Sequence, residues 1–566
     1  MHLLPQAGGI ALALFASLAL VGQDRGSEPT TEDRVDEVFA GWDTTNGPGC
    51  AVSVVENGEV AFMRGYGMAN LDHDVPNRTD TIFHVASVSK EFTAAAIALL
   101  ALDGKLSLDD TIQQHLPWVP EFEHPITIRN LIHHNSGIRD QWSLLGMSGW
   151  RYSRDLITDS DVIYLIKRQR DLNFRPGDRY TYSNTGYTLL ALIVEAVSGQ
   201  SLRDFTTSRI FDPLGMSRTH FRDDFSEIVK GQAYGYRWDE GDSVFQLSVT
   251  NFDTVGATSL LTTVEDMARW DRNFIDPAVG GRDFLDLMHR RGTLNDGEDQ
   301  DYAFGLTHGS YRGARTVGHG GADAGYRSNF LRFPDHGYSF VVLCNLAQTN
   351  PGQLARAVAD IYLEEQLEPV AGETGAPDDA SAAAPPVPID EGALSHVEGV
   401  YWWEERGIPL QIASSEGALE LRVGETDFEI VHTGEGRFLI PRLDRVARFE
   451  PTTGEATAMA LWPPGDESSI DMAAEMVPLD DTSNLLDYIG AYQSPELPVV
   501  YYIDTNEDTL VLHWLKRNPV ELTEVARDVL MGSAGSLRFQ RRSDGQISGF
   551  VLDSGRVRNF RFERVR

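Results

Sequence analysis

Ser87 and Lys90 stand three residues apart in HVASVSKEF, at the mouth of an alanine-rich apolar run, AAAIALLAL. A lysine entering a core has to be paired, solvated or neutral, because burying an isolated ammonium is very costly. If the run is a helix starting near Ser87, the two side chains lie one turn apart on the same face. A serine hydroxyl is a weak nucleophile until a neighbour accepts its proton, and a lysine in a crowded apolar site can have its pKa lowered enough to be that neighbour. The helix N-terminus adds positive potential beside Ser87, which favours a developing oxyanion. Serine and lysine at this spacing often arise by chance, so the pair needs company.

Two further stretches supply it. FRPGDRYTYSNTGYTLL places Tyr182-Ser183-Asn184 between a Pro-Gly turn and a helical pattern. GHGGADAGYRSNFLRFP places His319-Gly320-Gly321 ahead of a β-type run. A tyrosine beside a lysine cation has its phenolate favoured and can shuttle a proton. A glycine pair lets a substrate lie along a strand edge, which can supply a backbone N–H.

In this order the three elements resemble the S-x-x-K, Y-x-N and K-T-G (or H-x-G) motifs of the penicillin-recognising serine hydrolases. Y-S-N in the middle is similar to the class C β-lactamase branch, with its D-alanyl-D-alanine carboxypeptidases, D-aminopeptidases and esterases. ITIRNLIHHNSGI, PLGMSRTHF and ATSLLTTVEDMARW also match, and the resemblance runs from about Glu32 to Leu363. It implies Ser87 as nucleophile, Lys90 as its proton partner, Tyr182 as general base or relay, and Asn184 as a binder of the substrate amide. It also implies an oxyanion hole built from the backbone N–H groups of Ser87 and Ala322. Whether Lys90 or Tyr182 takes the first proton stays open, and the two are expected to titrate as a unit. Where K-T-G enzymes hold a substrate carboxylate with lysine and threonine, this chain has His319 and Gly320. A site without those donors loses much discrimination in favour of carboxylates.

The surrounding elements read as follows. CAVSVVENGEVAFMRGYG is a hairpin around an Asn-Gly turn. Helical patterns cover 91–102, 161–169 and 186–197, the last ending at Ser198-Gly199. YRSNFLRF and YSFVVLCNL are strands, so a sheet closed by the two ends of this region is expected. AGETGAPDDASAAAPPVPID, residues 371–390, has linker composition. Beyond it a β-type pattern repeats at an offset of 91 residues: Gly399-Val400-Tyr401 with Gly490-Ala491-Tyr492, Ile412 with Ile503, Leu419 with Leu510, and Leu421 with Leu512. The fold class is therefore α+β: a β-lactamase/transpeptidase-like domain of antiparallel sheet and helices over 31–366, then two small all-β domains, barrels or sandwiches, over 391–483 and 484–566. These domains are expected to dock on the catalytic one and drop a loop toward its cleft. Tyr401-Trp402-Trp403 and Tyr501-Tyr502 are expected to fill β cores.

The chain has 566 residues, too many for one ordinary core, and a net charge of −36. That balance argues against nucleic acid or anionic membrane as a partner, and it mildly disfavours strongly anionic substrates unless the site is locally basic. GGIALALFASLALVG has signal-peptide length, and Ser17-Leu18-Ala19 offers a cleavage site, although MHLLPQ lacks a basic residue. Residues 1–22 are read as a signal peptide and the protein as periplasmic or secreted, with no stable membrane span. Cys50 and Cys344 are expected to be two buried thiols. No metal or cofactor motif occurs; His133-His134 lacks ligand spacing and is given a structural role. There is no G-x-S-x-G elbow, so an α/β-hydrolase reading fails. The function expected is a serine hydrolase acting on a small molecule or short peptide through an acyl-serine intermediate. H-G-G and the three-part layout favour a D-aminopeptidase-like peptidase or amidase. An esterase or β-lactamase on the same scaffold is one alternative, and a non-catalytic binding or sensor protein is another. The oligomeric state is left open.

Overall fold

Asn57 and Gly58, both at positive φ (50° and 82°), make the tight turn that joins β1 (Cys50–Glu56) to β2 (Glu59–Tyr66). The computed structural model describes residues 29–152, 154–369 and, apart from short stretches between strands, 397–565. The expected signal segment and the 371–390 linker lie outside the described residues. The hairpin is one edge of a six-stranded antiparallel sheet completed from the far end of the region. β3 (Thr307–Tyr311), β4 (Ala314–Asp323), β5 (Tyr326–Phe333) and β6 (Tyr338–Cys344) give the order β3-β4-β5-β6-β1-β2. The expected closure of the sheet by its two sequence ends is the β1–β6 pairing, with Cys50 opposite Cys344. That register brings the two Cα atoms to 4.0 Å, and the cysteines form a disulfide. The expectation of two separate thiols is thus corrected: each half reads as a buried small hydrophobe, and only the long-range register makes them neighbours.

Period-two alternation splits the sheet into two cores. Val52, Val54, Phe340 and Val342 face α1 (Thr31–Phe39) and α5 (Pro351–Tyr362). Ala51, Val341 and Leu343 face the larger core that holds α2 (Ser89–Leu102), α3 (Asn184–Ser198) and α4 (Val264–Arg272). After Thr93 α2 is apolar all round, and the helix is buried from Ser89 to Leu100, as such a composition requires. One turn after Ser87, Glu91 anchors this helix from below. Its Oε1 accepts from Trp270 Nε1 of α4 (2.8 Å) and from Arg332 Nη2 of β5 (2.7 Å), and Arg332 Nε donates to Asp271 Oδ1 (3.1 Å). All of these side chains are buried, so the cation and its two carboxylates fix helix to sheet at one register.

The repeated region folds as two closed eight-stranded barrels. The first runs from Gly399–Trp403 to Met472–Val477, which pair to close it, and the second from Gly490–Gln493 to Val557–Arg564 in the same way. The duplication extends to side chains: Tyr401 Oη donates to Val397 O (2.9 Å) and Tyr492 Oη to Tyr488 O (2.7 Å). Tyr401 and Tyr501 fill cores as expected, Trp402 is buried between the barrels, and Tyr502 is exposed because alternation turns it outward. The second barrel shares the large core of the catalytic region, and Tyr501 Oη donates to Met147 O (3.0 Å). Arg139 and Glu496, both buried, form an ion pair across this junction at 2.7 Å.

Candidate active site

Ser87 lies in a short 3₁₀ turn, Ala86–Val88, that leads directly into α2. Ala86 takes a left-handed conformation (φ 48°), which non-glycine residues seldom adopt and which costs roughly 1–3 kcal/mol. The turn presents Ser87 to a cleft of about 600 Å³, whose lining includes Tyr182, Asn184, His319, Gly320 and Ala322. All the residues singled out from the three motifs are therefore brought to one place.

Lys90 is fully buried in the first turn of α2, three residues after Ser87. Its Nζ donates to Ser87 Oγ (3.2 Å), Asn184 Oδ1 (2.9 Å) and the Ala257 carbonyl (2.6 Å). Burial brings its pKa down to about 7; Asp323 and Asp140 pull it up, and Arg556 pushes it further down. Lys90 Nζ also sits 4.8 Å from the centre of the Tyr182 ring. Burial holds the Tyr182 hydroxyl well above its usual range, eased by Ser87 and by Arg556. Tyr182 Oη has no well-formed hydrogen bond, so it is a buried donor facing the serine. At neutral pH Tyr182 keeps its proton, while Lys90 is close to half neutral.

Asn184 opens α3 and its amide is largely spoken for. Asp140 Oδ2 accepts from both the Asn184 backbone N and Nδ2 (2.8 Å each), while Asp140 Oδ1 caps the helix Gln141–Met147. One Asn184 N–H remains for a substrate.

The β4 edge forms the opposite wall. Pairing with β3 ends at Gly318, so His319–Asp323 bonds β5 on one side and faces the Ser87 turn on the other. A Cβ at Gly321 would collide with Val85 O and Ser328 Oγ and come within 3.0 Å of Ser87 N. Glycine is required there by the close approach of strand to turn, not by a substrate. A Cβ at Gly320 would meet nothing nearer than Asn329 Nδ2 at 3.6 Å. His319 Nδ1 contacts the Gly320 carbonyl (2.6 Å), so that nitrogen carries the hydrogen and Nε2 accepts from Tyr302 Oη (3.0 Å). Burial lowers the His319 pKa to about 4. It is neutral and locked, and no substitute for the lysine of a K-T-G motif.

Four participants were not legible as site residues: Asp140, Tyr302, Asp323 and Arg556. Asp323 takes hydrogen bonds from Tyr152, Thr258 and His84, the last at 3.0 Å, and these hold its carboxyl below the ordinary range. Arg556 comes from the hairpin turn between the last two strands of the second barrel and lies 4.8 Å above the Tyr182 ring. The expected loop from the β domains does reach the cleft. His134 backs the site, accepting from Ser183 N (3.2 Å) with its ring 4.2 Å from that of Tyr182, and His133 contacts the Tyr302 carbonyl (3.1 Å). In sequence Tyr302 opens the run YAFGL after the acidic stretch DGEDQD, with no motif that marks it as a site residue.

The family model described as Beta-lactamase matches residues 35–363. Penicillin-binding protein 4* of Bacillus subtilis is 29% identical over 436 residues, 74% of this chain and 93% of that protein. The D-aminopeptidases of Gluconobacter oxydans and Brucella anthropi are 31% and 33% identical over 56% and 53% of this chain. The matches span 60% and 56% of those two proteins, little more than half their length. Among solved structures, the octameric penicillin-binding protein homologue from Pyrococcus abyssi superposes with a TM-score of 0.53 at 23% identity, over 85% of this chain and 97% of that one.

Proposed function

This chain belongs to the β-lactamase family, and on that footing we propose that it is a D-aminopeptidase-like amidase that works through an acyl-Ser87 intermediate. The single observation that carries this reading is the Ser87–Lys90 hydrogen bond in a site that holds Lys90 near pKa 7. Of the two candidate bases, Lys90 is the one able to be without its extra proton at physiological pH, whereas Tyr182 stays a neutral phenol. Neutral Lys90 accepts the Ser87 proton as Oγ attacks the substrate carbonyl. The oxyanion is received by the backbone N–H groups of Ser87 and Ala322, on turn and strand held together by Gly321. As the C–N bond breaks, Tyr182 passes a proton to the leaving amine and is reprotonated from Lys90. Water then attacks the acyl-enzyme, and Lys90 and Tyr182 serve in reverse.

The remaining N–H of Asn184 binds the acyl-side carbonyl. The strand edge offers backbone donors but no lysine or threonine, which supports an amide without a carboxylate at that point. The matching D-aminopeptidases support the D-aminoacyl class of acyl group. Profiling purified protein on D- and L-aminoacyl p-nitroanilides, short-chain esters and a chromogenic cephalosporin tests the reading. Fastest turnover of the D-aminoacyl amides supports it; preference for the ester or cephalosporin by kcat/KM, or no turnover, contradicts it. Export is proposed as well, supported by the N-terminal apolar run and by the Cys50–Cys344 disulfide, a bond favoured outside reducing compartments. No described helix is long and apolar enough to cross a membrane.

A further inference from the structure

Among the described residues that line the cleft, the catalytic region offers no free cation for a substrate carboxylate, and the second barrel brings one. His319 is neutral and bonded at both ring nitrogens, and Lys90 is buried and committed to Ser87, Asn184 and Ala257. The Arg556 side chain lines the same cleft as Ser87 and is 47% exposed. Among the described residues no hydrogen bond engages its guanidinium. Its nearest carboxylate oxygen, Asp140 Oδ2, is 3.7 Å away and already accepts twice from Asn184. The backbone around it is fixed: Arg556 N donates to Ser143 Oγ (3.1 Å), and its carbonyl accepts from Asn173 Nδ2 (3.0 Å). A held turn thus points a guanidinium with unused donors across Tyr182, beside the residue that orients Asn184. In a chain of net charge −36, this sets a cation at the mouth of a cleft whose lining also holds the buried Asp323 carboxylate.

We propose that Arg556 is a specificity residue that binds a carboxylate of the substrate, so that the second barrel selects anionic substrates for a catalytic region unable to do so itself. The inference rests on the amidase reading of the same cleft. Arginine suits the role because its planar fork meets a carboxylate with two parallel N–H donors, which lysine cannot reproduce. The carboxylate has two possible sources: the side chain of an acidic D-aminoacyl group, or a carboxylate in the leaving group.

The test compares matched isosteres on the full-length protein, wild type against Arg556→Ala and Arg556→Lys. One arm is D-Glu against D-Gln p-nitroanilide; the other is D-Ala-Gly against D-Ala-Gly-amide. Wild type is expected to favour the anionic member of one pair by about tenfold or more in kcat/KM, chiefly through KM. Arg556→Ala should bring that ratio close to one, and Arg556→Lys should restore part of it. Loss of the ratio in the first arm places the carboxylate in the acyl group; loss in the second places it in the leaving group. Ratios unmoved in both arms by Arg556→Ala, or already near one in wild type, overturn the proposal. Should none of the amides be hydrolysed while Ser87 still reacts with a neutral fluorophosphonate, the amidase reading has failed, and Arg556 is judged by binding instead. Glutarate should then protect Ser87 from labelling at least tenfold better than glutaramide in wild type and no better in Arg556→Ala. Equal protection in wild type overturns the proposal on this route.

Discussion

Acylation of Ser87 should rise with pH along a limb whose midpoint lies near 7, and Arg556→Ala should move that midpoint upward. Lys90 is brought from 10.5 to about 7, a change of 3.5 units that corresponds to about 5 kcal/mol against its charged form. With the neutral form required, acylation at pH 5 should be about a hundredfold below its plateau. The Arg556 guanidinium is among the groups that disfavour the Lys90 ammonium, so its removal must raise the lysine pKa. A unit charge roughly 8–16 Å away at an effective dielectric of about 20 is worth about 1–2 kcal/mol, which sets the expected movement of the midpoint at roughly 0.7–1.5 pH units. Asp323 acts with the opposite sign, so Asp323→Asn should move the midpoint down. The assay is single-turnover acylation by a neutral p-nitrophenyl ester between pH 5 and 9, which isolates the step from product release. A flat profile over this range, or midpoints displaced in the same direction by both substitutions, would refute the assignment of Lys90 as the base.

Adjacent glycines should behave very differently. Gly321→Ala pushes a methyl group toward Ser87 N and should cut acylation by a hundredfold or more, at least tenfold more than Gly320→Ala, as measured by single-turnover kinetics. Lys90→Met should abolish turnover and stabilise the fold. The folded pKa lies below the unfolded one, so the wild-type penalty is complete below pH 7 and is relieved as pH rises toward 10.5. Allowing for the lost hydrogen bonds, a gain of about 2–4 kcal/mol at pH 6 that shrinks by pH 9.5 is expected in urea unfolding. Arg139→Ala leaves Glu496 buried without its partner and should cost about 3–5 kcal/mol, with a drop in kcat because Asp140 adjoins it. Glu496→Ala should be similarly damaging, and the double variant far less than additive.

The parts of this molecule that declare themselves in sequence do so through local rules. Asn57-Gly58 specifies a hairpin, the alanine run after Lys90 can only be a buried helix, and Gly199 ends α3 in the left-handed conformation expected of a C-cap. Ser87, Lys90, Tyr182, Asn184 and His319 were legible because their spacing matched a family pattern. What stayed hidden was set by long-range register. Nothing near Cys50 reports that it will face Cys344, and closure of the first barrel depends on Val400 meeting Val477. Arg556 lies more than 370 residues beyond Tyr182 in the chain and joins the site only because a barrel docks. His319 looked like a binder of substrate, yet its orientation belongs to Tyr302, an aromatic in a loop with no pattern to announce it.

The most direct test of the account is where the acyl group goes. Wild-type protein treated with a fluorophosphonate, then examined by intact-mass and peptide mass spectrometry, should gain one adduct, confined to the peptide that contains Ser87. Lys90→Ala and Tyr182→Phe should acquire it orders of magnitude more slowly, with effects far from additive since both serve one proton relay. Ser87→Ala should acquire none. An adduct that maps to another residue, or labelling of Ser87→Ala at the wild-type rate, would contradict the assignment of Ser87 as nucleophile and with it the mechanism built on that residue.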